Sequence, residues 1–147
     1  MQPTNISSAS KTAAALSLTG RILIAAIFLV SGFGKLMAPS GTIGYIASVG
    51  LPLPELAYAG ALAAELGGGL LLVAGYRTRW VAAALAVFSV VSAVIFHNAL
   101  GDQNQLFHFL KNIAMAGGLL QYVASGGGAF SLDERQVRSS IVMQTAR

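Results

Sequence analysis

No cysteine occurs anywhere in the 147 residues. Disulfides, thiolate metal sites, iron–sulfur ligation and dithiol exchange are thereby excluded from this chain, and any redox chemistry has to belong to something bound to it. Charge is nearly as scarce. Lys, Arg, Asp and Glu make up 10% of the residues, against about 25% in soluble domains, while 55% are hydrophobic. A soluble domain this short leaves roughly 30% of its unfolded surface exposed after folding. Nine Lys or Arg and five Asp or Glu are too few to cover it. The composition calls for a lipid bilayer as solvent.

Other absences narrow the chemistry. The formal charge of +4 comes without a basic stripe or interleaved aromatics, which argues against nucleic acid as a partner. No Walker or Rossmann glycine loop occurs. The serines sit in the tails or in apolar helix contexts without a local His–Asp arrangement, so no nucleophilic triad is expected and no catalytic residue is assigned. His97, His108 and Glu65 are metal-ligand types, but the histidines straddle a loop and no HxxxH or ExxH pair shares a helix face. No metal site is expected, and no covalently held cofactor is implied.

What is present is a series of long uncharged windows with cations gathered between them, the transmembrane signature. The sequence predicts an all-α membrane protein: a bundle of four transmembrane helices with a short interfacial amphipathic segment between helices 1 and 2. Residues 1–18, rich in Ser, Thr and Ala, read as a flexible tail. A membrane domain over 19–126 holds spans at about 19–37, 54–75, 80–97 and 106–124, each near the ~20 residues a crossing needs. Residues 127–147 form a polar C-terminal tail. Between the first two spans, TIGYIASVG is flanked by Pro39, Gly41, Pro52 and Pro54 and carries no charge, which suits a helix lying in the interface. Trp80 suits the headgroup level.

Cations set the orientation. Lys11, Arg21, Arg77, Arg79, Arg135, Arg138 and Arg147 fall on one side of this scheme, and Lys35 and Lys111 on the other. The excess places both termini in the cytoplasm of a multi-pass protein.

An ionisable side chain at membrane depth costs at least ~2.5–3.5 kcal/mol, so it needs a partner, a water-filled cavity or a task. Glu65 lies about eleven residues from the outer end of its span, or ~16 Å, near the midplane. Lys35, His97, His108, Lys111 and Asn112 share the outer half of the bundle with it. The Glu65 carboxylate is expected to meet an ammonium from Lys35 or Lys111 in an outer-leaflet polar pocket. These six residues are the candidate ligand-binding set. They fit equally a satisfied knot that fixes helix packing, and a third reading has the two lysines snorkelling to the outer headgroups. Gly68 and Gly69 share a helical face with Glu65, which places close helix contact beside the carboxylate. The strings Gly68-Gly69-Leu70-Leu71 and Gly117-Gly118-Leu119-Leu120 hint at a parallel two-helix repeat.

Taken together, Gly20-Arg21, Phe33-Gly34-Lys35-Leu36, Leu51-Pro52, Glu65-Leu66-Gly67-Gly68-Gly69, Gly75-Tyr76-Arg77-Thr78-Arg79, His97, Lys111-Asn112 and Gly117-Gly118 resemble the DoxX family of small bacterial membrane proteins. The resemblance implies a four-helix fold in the bacterial inner membrane. It associates the chain with terminal-oxidase and thiosulfate:quinone oxidoreductase subunits, and some relatives with resistance to quinones, catechols or oxidative stress. Two readings follow. In one, the chain is a quinone-interacting subunit of a membrane oxidoreductase: a quinone is bound in the outer pocket, Lys111, His97 and Asn112 reach its carbonyls, Glu65 exchanges a proton, and a redox partner subunit delivers the electrons. In the other, it is a non-catalytic scaffold, or a binder or transporter of a small hydrophobic molecule. Membrane lipid is a partner in both, and a homo-oligomer is compatible with either.

Overall fold

A computed structural model of the protein describes residues 6–145, which are helical throughout apart from short connections, with no strand among them. The elements are α1 (Ile6–Met37), α2 (Pro39–Ser48), α3 (Pro54–Leu62), a π-helical segment (Ala63–Gly68), α4 (Gly69–Ala74), α5 (Thr78–Phe96), α6 (Gln103–Ser125) and α7 (Leu132–Thr145). Three helices are long and apolar enough to cross a membrane: Ser10–Met37, Pro54–Ala74 and Thr78–Phe96. The helix at 103–125 has the length, 23 residues, but falls outside this set. Gln103, Asn104, Gln105, His108, Lys111, Asn112 and Gln121 dilute its apolar character.

The ends of the chain differ from expectation. Residues up to 18 read as a flexible tail, yet α1 begins at Ile6 and continues unbroken into the first span. The Ala-rich stretch Thr12–Leu16 contains no helix breaker, and a nucleated helix propagates readily through such residues. At 1.5 Å per residue the 32-residue α1 is ~48 Å long and overshoots a ~30 Å hydrocarbon core. The C-terminal segment read as polar tail carries α7. Residues 1–5 and 146–147, Arg147 among them, lie outside the described residues.

The tight turn 97–102 sends α6 back along α5. His97 at the end of α5 meets Gln105 near the start of α6, and Thr78 at the start of α5 lies against Gly127 just past its end. Asp102 caps α6, its side chain accepting from Gln105 N at 2.9 Å and so satisfying a helix-start donor. The core among these helices is small and tightly closed, built on Ala25, Phe28, Leu72, Ala82, Leu85 and Leu119. Glycines allow the approach. A Cβ on Gly69 would stand 2.9 Å from Leu29 of α1, and one on Gly68 2.9 Å from Leu85 of α5. Small residues let membrane helices pack closely where lipid offers no hydrophobic drive. The matching string in α6 does not repeat this role, since Gly118 faces Ile24 but a Cβ on Gly117 would meet nothing.

A clamp closes the bundle end opposite Lys35. Arg21, counted above as an orienting cation, is fully buried. Its Nη1 donates to Leu72 O at 3.1 Å and Val73 O at 2.9 Å, and its Nη2 to Phe130 O at 2.5 Å. The guanidinium thus satisfies carbonyls at the C-terminal end of α4, where a helix leaves acceptors unpaired and favours a cation. Gly75, with φ 68°, is held so close to Arg21 and Ser131 that no side chain fits. Arg77 also takes a left-handed conformation, φ 47°, and α5 has no side-chain cap of its own. Asp133 supplies one from a distance, accepting from Arg77 N at 2.6 Å and Thr78 N at 2.8 Å. Ser17 Oγ donates to Gly127 O, and Tyr122 Oη to Ser17 O, so the chain after α6 is tied to three helices.

Burial pushes the Asp133 carboxyl up, but the hydrogen bonds from Thr78 and Arg77 and the nearby Arg21 charge outweigh it, and the group sits below its ordinary value. A depressed carboxyl stabilises the fold above its unfolded pKa and loses that contribution as pH falls through the folded one. The α7 attachment is therefore expected to hold at neutral pH and loosen in acid below the usual aspartate range. Limited proteolysis of the detergent-solubilised protein across pH 2–6 checks this, with Asp133→Asn expected to be cleaved early at every pH.

Candidate functional site

Leu53, in a left-handed conformation with φ 54°, turns the chain into α3, with Pro54 at its start. The span then changes pitch. Residues Ala63–Gly68 form a π-helix, a rare wider winding that is frequent at functional sites. Glu65 stands in this segment, 5% exposed. Its Oε1 lies 2.8 Å from Lys35 Nζ and accepts from Ser31 Oγ at 3.1 Å, while Lys35 Nζ donates to Ser31 Oγ at 2.8 Å. Ser31 and Lys35 are one turn apart on α1 and so face the carboxylate together. Gly32 between them lets the helices meet, since a Cβ there would be 2.8 Å from Leu66 and 3.0 Å from Glu65 Cβ. Tyr58 Oη donates to Lys35 O at 3.2 Å. The second carboxylate oxygen, Oε2, is buried and has no hydrogen-bond partner.

Beside this triad lies a cavity of about 680 Å³, within the ~300–1,000 Å³ typical of small-molecule sites. Lys35, Glu65, His97, Lys111 and Asn112 all line it, with Phe28, Phe88, Ile95 and Phe96 among its apolar walls. Ala38, Thr42, Tyr45 and Ile46 bring α2 across one side. That helix is mostly exposed, with Ile46 its buried residue, and Tyr45 packs on Phe96 at 5.7 Å between ring centroids.

Five of the six candidate residues thus line a single cavity. His108 is not among its lining residues; its ring stacks on His97 at 5.0 Å and its Nδ1 lies 3.1 Å from Lys111 Nζ. Of the two ammonium groups offered to Glu65, Lys35 makes the pair and Lys111 turns back along its own helix toward His108. With one Nδ2 hydrogen given to His108 O at 2.9 Å, Asn112 keeps a second N–H and its amide oxygen. Among the described residues no group of three or more His, Asp or Glu is placed to hold a metal. Two participants escaped sequence reasoning. Ser31 reads as an ordinary small residue of a membrane helix, and only its place four residues before Lys35 marks it. Tyr45 and its neighbours on α2 carry no charge to draw notice.

The DoxX family model matches residues 16–98. The chain belongs to the DoxX family. Two curated Escherichia coli proteins are similar to it. Inner membrane protein YphA is 38% identical over 125 residues, covering 82% of this chain and 89% of YphA. Inner membrane protein YqjF is 34% identical over 119 residues, covering 79% of this chain and 88% of YqjF. No solved structure matches the chain. Every residue of the Ser31–Lys35–Glu65 triad falls inside the family match, whereas Lys111 and Asn112 lie beyond it.

The triad has an energetic signature. Removing one partner of a buried ion pair costs about 3–5 kcal/mol, whereas replacing both with apolar or neutral groups is often tolerated. Lys35→Met is expected to lower stability by up to that amount, less what water regains at the 28%-exposed Lys35 side chain. Adding Glu65→Gln is expected to recover most of the loss. Thermal unfolding of the two single mutants and the double mutant in one detergent measures the coupling.

Proposed function

We propose that this DoxX protein is a four-span inner-membrane subunit that binds a quinone-class molecule in the cavity beside Glu65. The observation that carries the reading is the cavity itself: an apolar chamber of ligand size into which an ion pair, a second lysine, an amide and an imidazole converge. A few convergent polar groups on apolar walls are what a small-molecule site requires. Lys111 can donate to a ring oxygen, His97, whose Nδ1 donates to Gln105 Oε1, has Nε2 left as an acceptor, Glu65 can accept or return a proton, and the aromatic walls suit a flat ring. A bound quinone would supply the two-electron chemistry that a chain without cysteine lacks; electrons would come from a partner subunit. The bracing role keeps its own support in the Lys35–Glu65 pair, which ties α1 to the second span whether or not the cavity is filled.

In this reading α6 is the fourth span. Its 23 residues reach ~34 Å, enough to cross; Lys111 and Asn112 line the cavity, and His108 lies against Lys111 and His97. Arg77 and Arg79 are exposed at the clamp end. Even with Arg21 withdrawn from the surface, cations remain in excess there, which supports a cytoplasmic position for that end and both termini.

Two measurements test the proposal. Because the chain has no cysteine, single cysteines at Ser10, Asn104 and Gly128 report topology cleanly. Membrane-impermeant thiol reagent applied to intact cells with a permeable outer membrane is expected to label the 104 position and spare 10 and 128. For the ligand, protein purified in mild detergent is extracted and its quinones identified by mass spectrometry, with folded Glu65→Gln and Lys111→Met variants alongside. Near-stoichiometric quinone that is lost from both variants is the expected result; a wild-type protein that is empty and rejects added quinone makes it a scaffold.

A further inference from the structure

The helix that crosses one side of the chamber is the weakest element around it. α2 is ten residues long, PSGTIGYIAS, short of the ~12–15 that an isolated helix needs to persist. Gly41 and Gly44 weaken it further, because a helical glycine costs stability relative to alanine. Packing does not require them, since a Cβ on either would meet nothing within 4 Å. α2 therefore depends on its neighbours, and they give it little. Ile46 is its buried residue. Thr42 Oγ1 and Ser48 Oγ donate to Ala38 O and Tyr45 O, at the helix's own edge and within it. Among the described residues, the side-chain hydrogen bond and the ring contact that α2 makes to another element both belong to Tyr45: its ring lies tilted on Phe96 at 5.7 Å, and its Oη donates to Phe96 O at 3.5 Å. The chain turns freely on either side. Ala38, outside helical geometry, separates α2 from α1, while Gly50 at φ 81° and Leu53 at φ 54° make the turn into α3.

We propose that α2 is a hinged strap over the chamber and that Tyr45 on Phe96 is its latch. The other walls are pinned. Lys35, Ser31 and Glu65 join α1 to the second span, Leu85 of α5 closes on Gly68, and His97 meets Gln105 between α5 and α6. α2 gives the chamber Ala38, Gly41, Thr42, Tyr45 and Ile46, yet it hangs by its two chain connections, Ile46 and one aromatic pair. Elements that open to admit a ligand are drawn from the least stable parts of a fold. Tyr58 Oη on Lys35 O ties together the ends of α1 and α3 to which the strap is attached, so α2 can swing while its anchor points stay in place. When Tyr45 leaves Phe96 the chamber opens with the ion pair undisturbed; when it returns, the occupant is enclosed between α2 and α5. This rests on the binding reading above and adds to it the route by which the occupant enters.

Because the chain has no cysteine, Tyr45→Cys and Phe96→Cys in one protein can be bridged by a bis-methanethiosulfonate reagent and released again by a thiol reductant. The probe is a short-chain alkyl quinone, its uptake and release followed by stopped flow in mild detergent. The bridged protein is expected to exchange the probe at least about tenfold more slowly than the unbridged one, with the full rate restored on reduction. Exchange that bridging leaves unchanged overturns the strap and leaves the binding reading standing. A second measurement needs no ligand: hydrogen exchange read by mass spectrometry on the wild type and on Tyr45→Ala. The Pro39–Ser48 amides are expected to exchange faster than those of α5 in the wild type, and about tenfold faster again in the variant, the worth of one aromatic pair, with α5 unchanged. Wild-type protection of α2 equal to that of α5, or exchange in α2 indifferent to Tyr45→Ala, overturns the inference. A quinone that binds neither bridged nor unbridged protein removes the binding reading, and the amide exchange then decides by itself whether α2 opens.

Discussion

A charge carried into hydrocarbon must be met by another group, because effective desolvation costs several kilocalories per mole for each ion. The architecture of this protein follows from two such charges. Glu65 is met by Lys35 and Ser31 across the contact between α1 and the second span. Arg21 is met by the carbonyls that end α4 and by Phe130 O. Both come together on α1, about four turns apart, so this one helix holds the second span at two levels. The glycines facing α1, Gly32 on its own side and Gly69 opposite, bring the backbones close enough for those short bonds to form. Packing and charge satisfaction are one requirement here.

The two ends of the bundle answer that requirement differently. At the clamp end Arg21 Nη1 and Nη2 reach carbonyls while Arg21 Nε and Thr78 Oγ1 stay unpaired, the glycines leave no room for an added side chain, and each oxygen of Asp133 accepts from a backbone N–H. At the opposite end the helices stand apart around an open chamber, and a carboxylate oxygen is left unpaired. Closely packed structure is what a scaffold needs. Spare volume beside unsatisfied polar atoms stores a capacity to bind. That contrast in packing supports the proposed binding site at the Lys35 end.

Much of this was legible because depth in a membrane turns composition into position. The apolar windows place α1, the second span and α5 where they are found, and the rarity of polar groups at depth singles out Glu65, Lys35, His97, His108, Lys111 and Asn112, all but His108 lining the cavity. Periodicity alone misjudged the tails, since a flanking stretch of Ser, Thr and Ala looks the same whether it is loose or extends a helix already nucleated by its apolar neighbour. It also missed the burial of Arg21. A cation at the edge of an apolar run reads as a surface marker, and its carbonyl partners on residues 72, 73 and 130 are invisible to any local pattern. The π segment left no sequence signature either. A face drawn at α-helical spacing through Glu65 and Leu72 is correct in membership, because both are buried, but the winding that brings them there differs.

That winding makes the second span two independently aimed pieces. A π turn amounts to an α-helix carrying one residue too many, and in α geometry each residue turns the chain by ~100°. The extra residue between Leu62 and Gly69 lets the outer half aim Glu65 at Lys35 while the inner half aims Leu72 and its carbonyl at Arg21. A lineage that dropped a single residue from this segment would straighten the helix and keep only one of the two alignments. The span could still cross the membrane, but it would be in register with either the clamp or the chamber, and the length of this six-residue stretch is thus under tighter constraint than the identity of most residues within it.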